Sequence, residues 1–497
     1  MSLVTDSPVH SSSSSDDFAA FLDSTLDSKS SDSSPDENAV TDGHSDSSDS
    51  SSDEEAEDDC NLISKRPRVE KLESIEETQG STSNGFVEQQ LRETEGSTSN
   101  GFLELPLGET QESTSDVFVE QPLEASWKKD MCKHPGSFGE MCILCGQMLD
   151  TESGVTLRYI HKELRLCNDE IVRLRATDMK NLLRRKKLYL VLDLDHTLLN
   201  STQLIHLTVE EEYLKEQTDS LQDVSEGSLF KLQFMHMMTK LRPFVRTFLK
   251  EASEMFEMYI YTMGDRSYAL EMAKLLDPRK EYFDSRIISR DDGTEKHQKG
   301  LDVVLGQDSA VLILDDTENA WTKHKDNLIL MERYHFFASS CRQFGFNCKS
   351  LSELKSDESE FDGALSSVLK VLRRIHSLFF DELGDNVDGR DARQVLKTVR
   401  KEVLKNCKLV FSRVFPTKFQ AEKHHFWKMA EQLGASCSTE LDQTVTHVVS
   451  TDAGTEKSRW AVKEQKFLVH PTWIEATNYM WQRQPEENFT LDQIKNQ

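Results

Sequence analysis

Apolar positions from residue 156 onward alternate between two patterns. Short continuous apolar runs are typical of strands that are buried on both faces, and they predict strands at residues 188–192, 256–264, 284–289 and 310–316. Segments with helical spacing lie between these strands, at residues 242–255 and 266–277. Because strands that alternate with helices favour parallel pairing, the pattern predicts an α/β fold, a doubly wound parallel sheet covered by helices.

Further elements flank this alternation. Residues 158–166 predict a strand, residues 168–187 a helix N-capped near Asn168, and residues 230–238 another strand. Residues 363–383 predict a helix that leads into a polar linker. We therefore expect the following divisions of the chain: a tail at 1–126, a Cys/His segment at 127–150, a main α/β domain at 156–383, a linker with a helix at 384–402, and a small α/β domain at 403–493.

The first 126 residues follow neither pattern. They contain 30 acidic and 6 basic residues, a net charge of −24, whereas the whole chain carries −28. Serine-rich acidic sequence buries too little apolar surface to offset chain entropy, so we expect a long disordered acidic tail. Its charge repels phosphates, which argues against direct nucleic-acid binding by this region.

Three 16-residue repeats occur within the tail, at residues 77–92, 93–108 and 109–124. A solenoid needs repeats that bury apolar surface against each other, and each copy here offers only a few apolar side chains. Two interpretations stay open. The copies are short linear motifs that bind a partner through Phe86, Phe102 and Phe118, or they are a duplicated spacer.

The cellular compartment is indicated by what the sequence contains and lacks. No apolar run approaches the length of about 18 residues that a membrane span needs, no signal-peptide pattern opens the chain, and nine cysteines form no dense framework. We therefore expect a soluble intracellular protein without a membrane partner. The basic cluster Lys65–Arg68 favours the nucleus over a chance basic patch.

A cysteine- and histidine-bearing segment follows the tail. Cys132, His134, Cys142 and Cys145 offer four ligands for a tetrahedral zinc site, with Cys-x-x-Cys-Gly as its tight turn. The Cys-x-His spacing of the first pair is unusual for such a site. The alternative is a set of reduced thiols in an ordinary turn.

Polar residues stand at the ends of three predicted strands. Asp193 and Asp195 follow the first strand, Thr262 ends the next, and Asp315 and Asp316 end the last. Ligands of parallel sheets bind beyond the carboxyl ends of the strands, so we expect these side chains to meet. Converging carboxylates repel each other, and a hard divalent cation such as Mg²⁺ relieves that repulsion.

The spacing of the first pair suggests a division of labour. Alternate residues of a strand point to the same side, so Asp193 and Asp195 share a side while Leu194 faces the core. One carboxylate can then attack a phosphorus atom while the other donates or accepts a proton. Lys299 could bring a cation against the phosphoryl oxygens, and the pattern favours phosphoryl transfer.

At these residues the sequence resembles the haloacid-dehalogenase-type (HAD-like) phosphatases, whose first motif is Asp-x-Asp-x-Thr after an apolar strand. The segments DLDHTLLN, IISRDD and LILDDTENAW, with the long match KLRPFVRTFLKEASEMFEMYIYTMGDRSYALEMAKLLDP, are similar to one branch, the FCP-type phosphatases of the RNA polymerase II C-terminal domain. Within that branch, the sequence resembles the plant-type C-terminal-domain-phosphatase-like proteins. The segments CKHPGSFGEMCILCG and YIHKELRL resemble what precedes that family's catalytic core.

The resemblance implies specific roles. Asp193 would be the nucleophile that forms an aspartyl-phosphate, and Asp195 the general acid and then the general base. Thr262 and Lys299 would hold the phosphoryl group, although Lys296 lies only three residues from Lys299. Mg²⁺, for which Mn²⁺ or Co²⁺ could substitute, would bind Asp193, the main-chain oxygen of Asp195, and Asp316, with Asp315 close by.

Many HAD-like relatives place a cap domain over small substrates. Residues 198–261 of this chain are numerous enough to hold such a domain. The acidic insertion at 210–227 lacks the pattern of an apolar lid, so we expect an open cleft suited to phosphoserine on an extended peptide. The same insertion could repel a phosphorylated substrate and so tune selectivity.

The C-terminal segment resembles a BRCT domain at Leu433-Gly434-Ala435, at the run from Thr446 to Val449, and at Trp473, which we expect in the core. Phosphopeptide-binding BRCT domains use a Ser or Thr, a following Gly and a downstream Lys. Ser412 and Lys457 fit this set, but Arg413 occupies the glycine position. Docking to an unmodified protein partner is therefore favoured over phosphopeptide capture.

Together these observations predict a nuclear, Mg²⁺-dependent protein serine phosphatase. Its substrate would be the heptad repeats in the C-terminal tail of the largest subunit of RNA polymerase II, with general transcription factors as further partners. Two alternatives stay open: a HAD-like phosphatase acting on another substrate, and a non-catalytic scaffold that binds phosphoproteins.

Overall fold

The computed structural model describes residues 132–149, 154–346, 348–382, 389–416 and 419–492. The predictions for the acidic tail, its repeats and the Lys65–Arg68 cluster lie outside these residues. Among the residues that are described, no helix combines the length and apolar character that crossing a membrane requires.

The chain alternates short strands with helices over most of its described length. The strands are β1 (Gly136–Phe138), β2 (Met141–Cys142), β3 (Val155–Thr156), β4 (Leu164–Leu166), β5 (Leu188–Leu192), β6 (Leu199–Gln203), β7 (Leu229–Leu232), β8 (Met237–Leu241), β9 (Phe256–Tyr261), β10 (Ile287–Ile288), β11 (Val311–Asp315), β12 (Leu328–Leu330), β13 (Lys408–Ser412), β14 (Ser436–Ser438), β15 (His447–Ser450) and β16 (Phe467–Val469). The helices are α1 (Asn168–Arg184), α2 (Val245–Met255), α3 (Arg266–Leu276), α4 (Ala338–Gln343), α5 (Ala364–Ser377), α6 (Ala392–Arg400), α7 (His425–Gln432), α8 (Glu456–Lys463) and α9 (Thr472–Met480).

The central sheet contains five parallel strands in the order β10-β9-β5-β11-β12. All five residues of β5 are buried, which explains its unbroken apolar sequence. Side chains from α1, α2, α3, α5 and α6 complete the same core. The predicted parallel α/β sheet is therefore confirmed.

The strand order positions the functional residues. In the register of the sheet, Leu192 at the end of β5 lies opposite Ile260 of β9 and Leu314 of β11. Asp315 comes directly after Leu314, and Thr262 comes two residues after Ile260. The sheet thus brings both residues to the edge where Asp193 lies. The carboxyl ends of three neighbouring strands meet at one edge, as in other open parallel sheets.

Two smaller antiparallel sheets accompany the central one. Strands β2-β1-β4-β3 form a sheet ahead of α1, and β6-β8-β7 form a sheet between β5 and α2. Within the acidic insertion, residues Val209–Glu216 form 3₁₀-helical turns. Glu211 is completely buried there, so part of the insertion is anchored to the fold.

Two local predictions were wrong. The predicted strand at 158–166 is a strand only at Leu164–Leu166, because Ile160 and His161 donate backbone hydrogen bonds to Leu157 and form a turn. The predicted strand at 230–238 is a hairpin, β7 and β8, whose turn includes His236 with a φ of 51°. The helix predicted to be N-capped near Asn168 is α1, which begins at Asn168 with Cys167 as its N-cap.

The C-terminal domain has its own parallel sheet, in the order β14-β13-β15-β16. Trp473 is fully buried among the residues of this domain's core, as expected, and its Nε1 donates a hydrogen bond of 2.8 Å to the carbonyl of Gln484. Gly434 follows α7 with a φ of 96°, and a Cβ there would clash with the carbonyl of Lys401. The helix-to-strand turn therefore requires glycine.

Candidate active site

The two predicted carboxylates, of Asp193 and Asp195, follow β5 directly and lie at the edge of the sheet. Asp193 is 6% exposed, Asp195 is half-buried, and Leu194 between them is completely buried. This alternation is what the strand geometry predicts. The two carboxylates therefore enter one site from the same backbone segment.

Lys299 lies between two of the buried carboxylates. Its Nζ is 2.6 Å from Oδ1 of Asp193 and 2.6 Å from Oδ2 of Asp315. Burial disfavours the ammonium, but the two carboxylates raise the pKa of Lys299 well above its ordinary value, so it stays charged. Lys296, the neighbouring alternative in the sequence, is exposed. The geometry thus brings Lys299, and not Lys296, to the site.

Asp315 and Asp316 are held by residues that the sequence analysis did not identify. Trp321 Nε1 donates a hydrogen bond of 2.8 Å to Oδ2 of Asp315, and the amide of Thr317 donates one of 2.8 Å to Oδ1. Arg333 Nε lies 2.5 Å from Oδ2 of Asp316. Trp321 belongs to the LILDDTENAW segment, which was the available signal, whereas no sequence pattern pointed to Arg333.

Asp195 has a different set of partners. The hydroxyl of Tyr268 donates a hydrogen bond of 2.5 Å to its Oδ1, and Thr262 Oγ1 lies 3.4 Å from its Oδ2. Tyr268 comes from α3, and Ser201 Oγ is 3.0 Å from its hydroxyl. Thr262 is completely buried and accepts a hydrogen bond from the amide of Gly264. Tyr268 is a further site residue that the sequence analysis missed.

The protonation of the carboxylates follows from their surroundings. Burial and the neighbouring Asp315 carboxylate raise the pKa of Asp193 well above its usual range, although Lys299 opposes the shift. Burial also raises the pKa of Asp195, against the hydrogen bonds from Tyr268 and Thr262. One ammonium cannot neutralise a buried group of several carboxylates, so the excess negative charge favours a proton.

The same carboxylates fit a metal ion. Oxygen atoms of Asp193, Asp315 and Asp316 all lie within 4.8 Å of one another, and all three residues are buried. An oxygen-only donor set that carries excess negative charge suits a hard divalent cation.

Comparison with known proteins identifies the family. The model of the NLI interacting factor-like phosphatase family matches residues 188–360, and that of the BRCT domain matches residues 399–477. RNA polymerase II C-terminal domain phosphatase-like 4 of Arabidopsis thaliana is 59% identical over 500 residues, which cover 100% of this chain and 99% of the relative. The chain belongs to the RNA polymerase II C-terminal domain phosphatase family.

Two further relatives agree with this assignment. The Arabidopsis phosphatase-like 3 protein is 40% identical over 328 residues, covering 64% of this chain and 26% of that protein. The solved structure of the fission yeast RNA polymerase II CTD phosphatase Fcp1 bound to beryllium fluoride is 25% identical, with a TM-score of 0.50 over 64% of this chain and 100% of that chain. The family implies a protein phosphatase with a divalent metal, and the Asp193, Asp315 and Asp316 cluster can hold it.

The BRCT candidates also lie close together. Ser412 Oγ, at the end of β13, is 2.8 Å from Thr455 Oγ1, and Lys457 Nζ donates hydrogen bonds of 3.2 Å and 2.7 Å to the carbonyls of Phe411 and Thr439. Arg413 takes the left-handed conformation with a φ of 59°, the conformation that glycine favours. The side chain of Lys457 is thus already engaged by the protein's own carbonyls.

The structure also brings the predicted cysteine and histidine ligands together. One donor atom from each of Cys132, His134, Cys142 and Cys145 lies within 4.8 Å of the others. This cluster stands at the sheet of β1 to β4 and is separate from the carboxylates of β5 and β11.

Proposed function

We propose that this chain is a nuclear, Mg²⁺-dependent protein serine phosphatase that acts on the heptad repeats in the C-terminal tail of the largest RNA polymerase II subunit. The observation that carries the proposal is the pair of adjacent carboxylates with unlike partners: Asp193 against the Lys299 ammonium and Asp195 against the Tyr268 hydroxyl. The related Arabidopsis and fission yeast proteins, named for this substrate, support the choice of substrate and hence of compartment.

In the first step, a carboxylate oxygen of Asp193 attacks the phosphorus atom of phosphoserine, and the bond from phosphorus to the serine oxygen breaks. Asp195 donates its proton to the leaving serine oxygen. Lys299 holds a positive charge beside the attacking oxygen, and Thr262 places a hydroxyl at the same edge of the sheet.

In the second step, Asp195, now ionised, takes a proton from water as the water oxygen attacks the aspartyl-phosphate. The bond from phosphorus to Asp193 breaks and inorganic phosphate leaves. The raised pKa of Asp195 suits the first role, and the hydrogen bond from Tyr268 stabilises the ionised form that the second role needs.

We assign Mg²⁺ to Asp193, Asp315 and Asp316, with the main-chain oxygen of Asp195 as a further ligand. When bound, it would neutralise charge on the phosphoryl oxygens. We do not assign it to Cys132, His134, Cys142 and Cys145, because thiolates and imidazole suit softer metals than Mg²⁺.

For the BRCT domain, we propose docking to an unmodified segment of a protein of the transcription machinery. The engagement of Lys457 by two backbone carbonyls supports this over phosphopeptide capture, since a phosphate would have to displace those hydrogen bonds. Together with the catalytic domain, such docking raises the local concentration of a repetitive tail.

The test is Mg²⁺-dependent phosphate release from singly phosphorylated heptad peptides, comparing wild type, Asp193→Asn and the exposed control Asp381→Asn. We expect release by wild type and control, and its loss in Asp193→Asn. Release from an aryl phosphate but from no heptad peptide would show a phosphatase with another substrate. A folded protein that is inactive on both would be a scaffold.

A further inference from the structure

The four side chains near β1 and β2 match the size of a metal-centred tetrahedron. Cys132 Sγ lies 3.7 Å from Cys142 Sγ, and Cys145 Sγ lies 3.5 Å from His134 Nδ1. With bonds of about 2.3 Å to sulfur and about 2.05 Å to nitrogen, a tetrahedral zinc site has edges of about 3.8 Å between two sulfurs and about 3.6 Å between sulfur and nitrogen. Both observed distances agree with these edges.

Backbone amides near the cluster donate hydrogen bonds to two of its sulfur atoms, which stabilises the thiolate form. The amide of His134 donates to Cys132 Sγ and that of Leu144 donates to Cys142 Sγ, both at 3.4 Å. Thiolates are the form that binds metal.

The turn that carries the second pair of ligands also depends on its glycine. The amide of Gly146 donates a hydrogen bond of 3.0 Å to the carbonyl of Cys142, and the φ of Gly146 is 71°. This conformation suits glycine and folds the chain back so that Cys142 and Cys145 present sulfur to the same point.

The turn that carries Cys142 and Cys145 buries few large apolar side chains of its own, although Leu164 and Leu166 of β4 join the main core. β1 to β4 are two or three residues long, and Met141, Leu144 and Met148 are 49%, 64% and 70% exposed. Small units that bury so little apolar surface need a disulfide or a metal for stability. A separation of 3.7 Å between the Cys132 and Cys142 sulfurs is far longer than the roughly 2.05 Å of a disulfide bond.

We propose that Cys132, His134, Cys142 and Cys145 bind one structural Zn²⁺ ion, with His134 coordinating through Nδ1. Four protein ligands close the coordination shell, so the ion stabilises the fold and does not meet substrate. The proposal is independent of the phosphatase chemistry, because no residue is shared with the carboxylate cluster.

The zinc ion would stabilise the junction between this sheet and the catalytic domain. Leu164 and Leu166 of β4 belong to the main core, and Arg158 donates a hydrogen bond of 3.1 Å to the carbonyl of Asp291. Arg266, the first residue of α3, is hydrogen-bonded through its amide to the Asp291 carboxylate. Loss of zinc should therefore loosen the contact with the catalytic domain as well as the sheet itself.

The experiment measures metal in the full chain by elemental analysis after dialysis against EDTA. We expect one zinc per wild-type chain, its loss in Cys145→Ser, and its retention in Cys348→Ser. Cys145 and Cys348 are both exposed, so the two variants differ mainly in whether a ligand is removed. Equal zinc content in the two variants would overturn the proposal.

Cobalt substitution keeps the test valid where a variant fails to fold. Wild-type protein reconstituted with Co²⁺ should show thiolate-to-cobalt charge transfer and the visible absorption of tetrahedral cobalt. Absence of both, with the thiols of Cys132, Cys142 and Cys145 reacting as fast as that of Cys348, would exclude the site. A mass two units low, marking a disulfide, would exclude it as well.

Discussion

The hydroxyl of Tyr268 and the carboxylate of Asp195 form a hydrogen bond of 2.5 Å that links α3 to the end of β5. Ser201 Oγ lies 3.0 Å from the same hydroxyl, whose single proton is donated to Asp195, so Ser201 is the donor in that contact. Burial raises the pKa of Asp195, and the hydrogen bond from Tyr268 is the largest effect that opposes the rise. Tyr268 therefore sets the balance between the acid and base forms of Asp195.

Replacing Tyr268 with phenylalanine should shift the pH dependence of the reaction. Without the donor, ionised Asp195 loses a charge-assisted hydrogen bond worth about 1.5–3 kcal/mol, so its pKa rises by roughly one to two units. The second step needs ionised Asp195, and the acidic limb of the pH–rate profile should move to higher pH. The measurement is the pH dependence of kcat on a phosphoserine peptide.

A matched control is Tyr213→Phe, which also removes one hydrogen bond, from the hydroxyl to the carbonyl of Ser352 at 2.8 Å. It should leave the acidic limb in place. An unchanged profile in Tyr268→Phe would mean that Tyr268 does not tune Asp195.

Lys299 offers a second prediction. Lys299→Met leaves Asp193 and Asp315 without their shared ammonium, and breaking a buried ion pair costs about 3–5 kcal/mol. We expect this loss in the free energy of unfolding of the metal-free protein, and a fall in kcat of about 100-fold or more. Urea unfolding and steady-state kinetics measure the two effects.

The neighbouring Lys296→Met is the control for this change, since Lys296 is exposed and should leave both quantities nearly unchanged. If Lys296→Met lost activity while Lys299→Met kept it, the assignment of the site lysine would be reversed.

Except for Lys299, the site residues that the sequence predicts are those tied to strand ends. Asp193, Asp195 and Asp315 follow or end apolar strands, and parallel strands must bring such positions to one edge. Tyr268, Trp321 and Arg333 were missed because they reach the site from a helix or from turns. No periodic pattern determines where such side chains point, so their contacts require the folded structure.

The same contrast between strands and turns explains which secondary structure could be predicted. The strand at 188–192 is buried on both faces, and its length and position are evident from its apolar run. By contrast, the segment 230–238 is largely apolar but turns at His236, where the backbone takes the left-handed conformation. Apolar character predicts burial, whereas a turn without Gly or Pro leaves no signal in the pattern.

The acidic insertion provides a third prediction. Glu211 is completely buried, and its Oε1 accepts hydrogen bonds of 2.8 Å from the amide of Ala338 and 2.6 Å from Ser352 Oγ. Glu211→Ala would leave both donors unsatisfied, at about 1–3 kcal/mol each. The free energy of unfolding by urea should fall by about 3 kcal/mol.

Glu212→Ala is the control for Glu211→Ala, because Glu212 pairs at the surface with Lys215, an interaction worth about 0–1 kcal/mol. Equal effects of the two changes would show that Glu211 does not anchor the insertion.

The C-terminal domain should lose stability as the pH falls from about 6.5 to about 4. Burial, with a smaller effect of His425, lowers the pKa of His424 from 6.5 to about 4. Between these values the unfolded chain binds a proton that the folded domain does not, so stability falls with decreasing pH, by at most about 1.4 kcal/mol per pH unit for one group. His424 Nδ1 also accepts a hydrogen bond from the amide of Phe426 at the start of α7.

His424→Asn keeps an acceptor at this N-cap position and removes the titrating group, so it should flatten the pH dependence. His447 and His470, whose pKa values burial also lowers, should preserve part of the slope of unfolding free energy against pH. The measurement is urea unfolding at several pH values, followed by hydrogen exchange in peptides from β13 to α9. His425→Asn, at an exposed neighbouring position, should keep most of the slope. A slope as steep in His424→Asn as in wild type would show that His424 does not control the acid sensitivity of this domain.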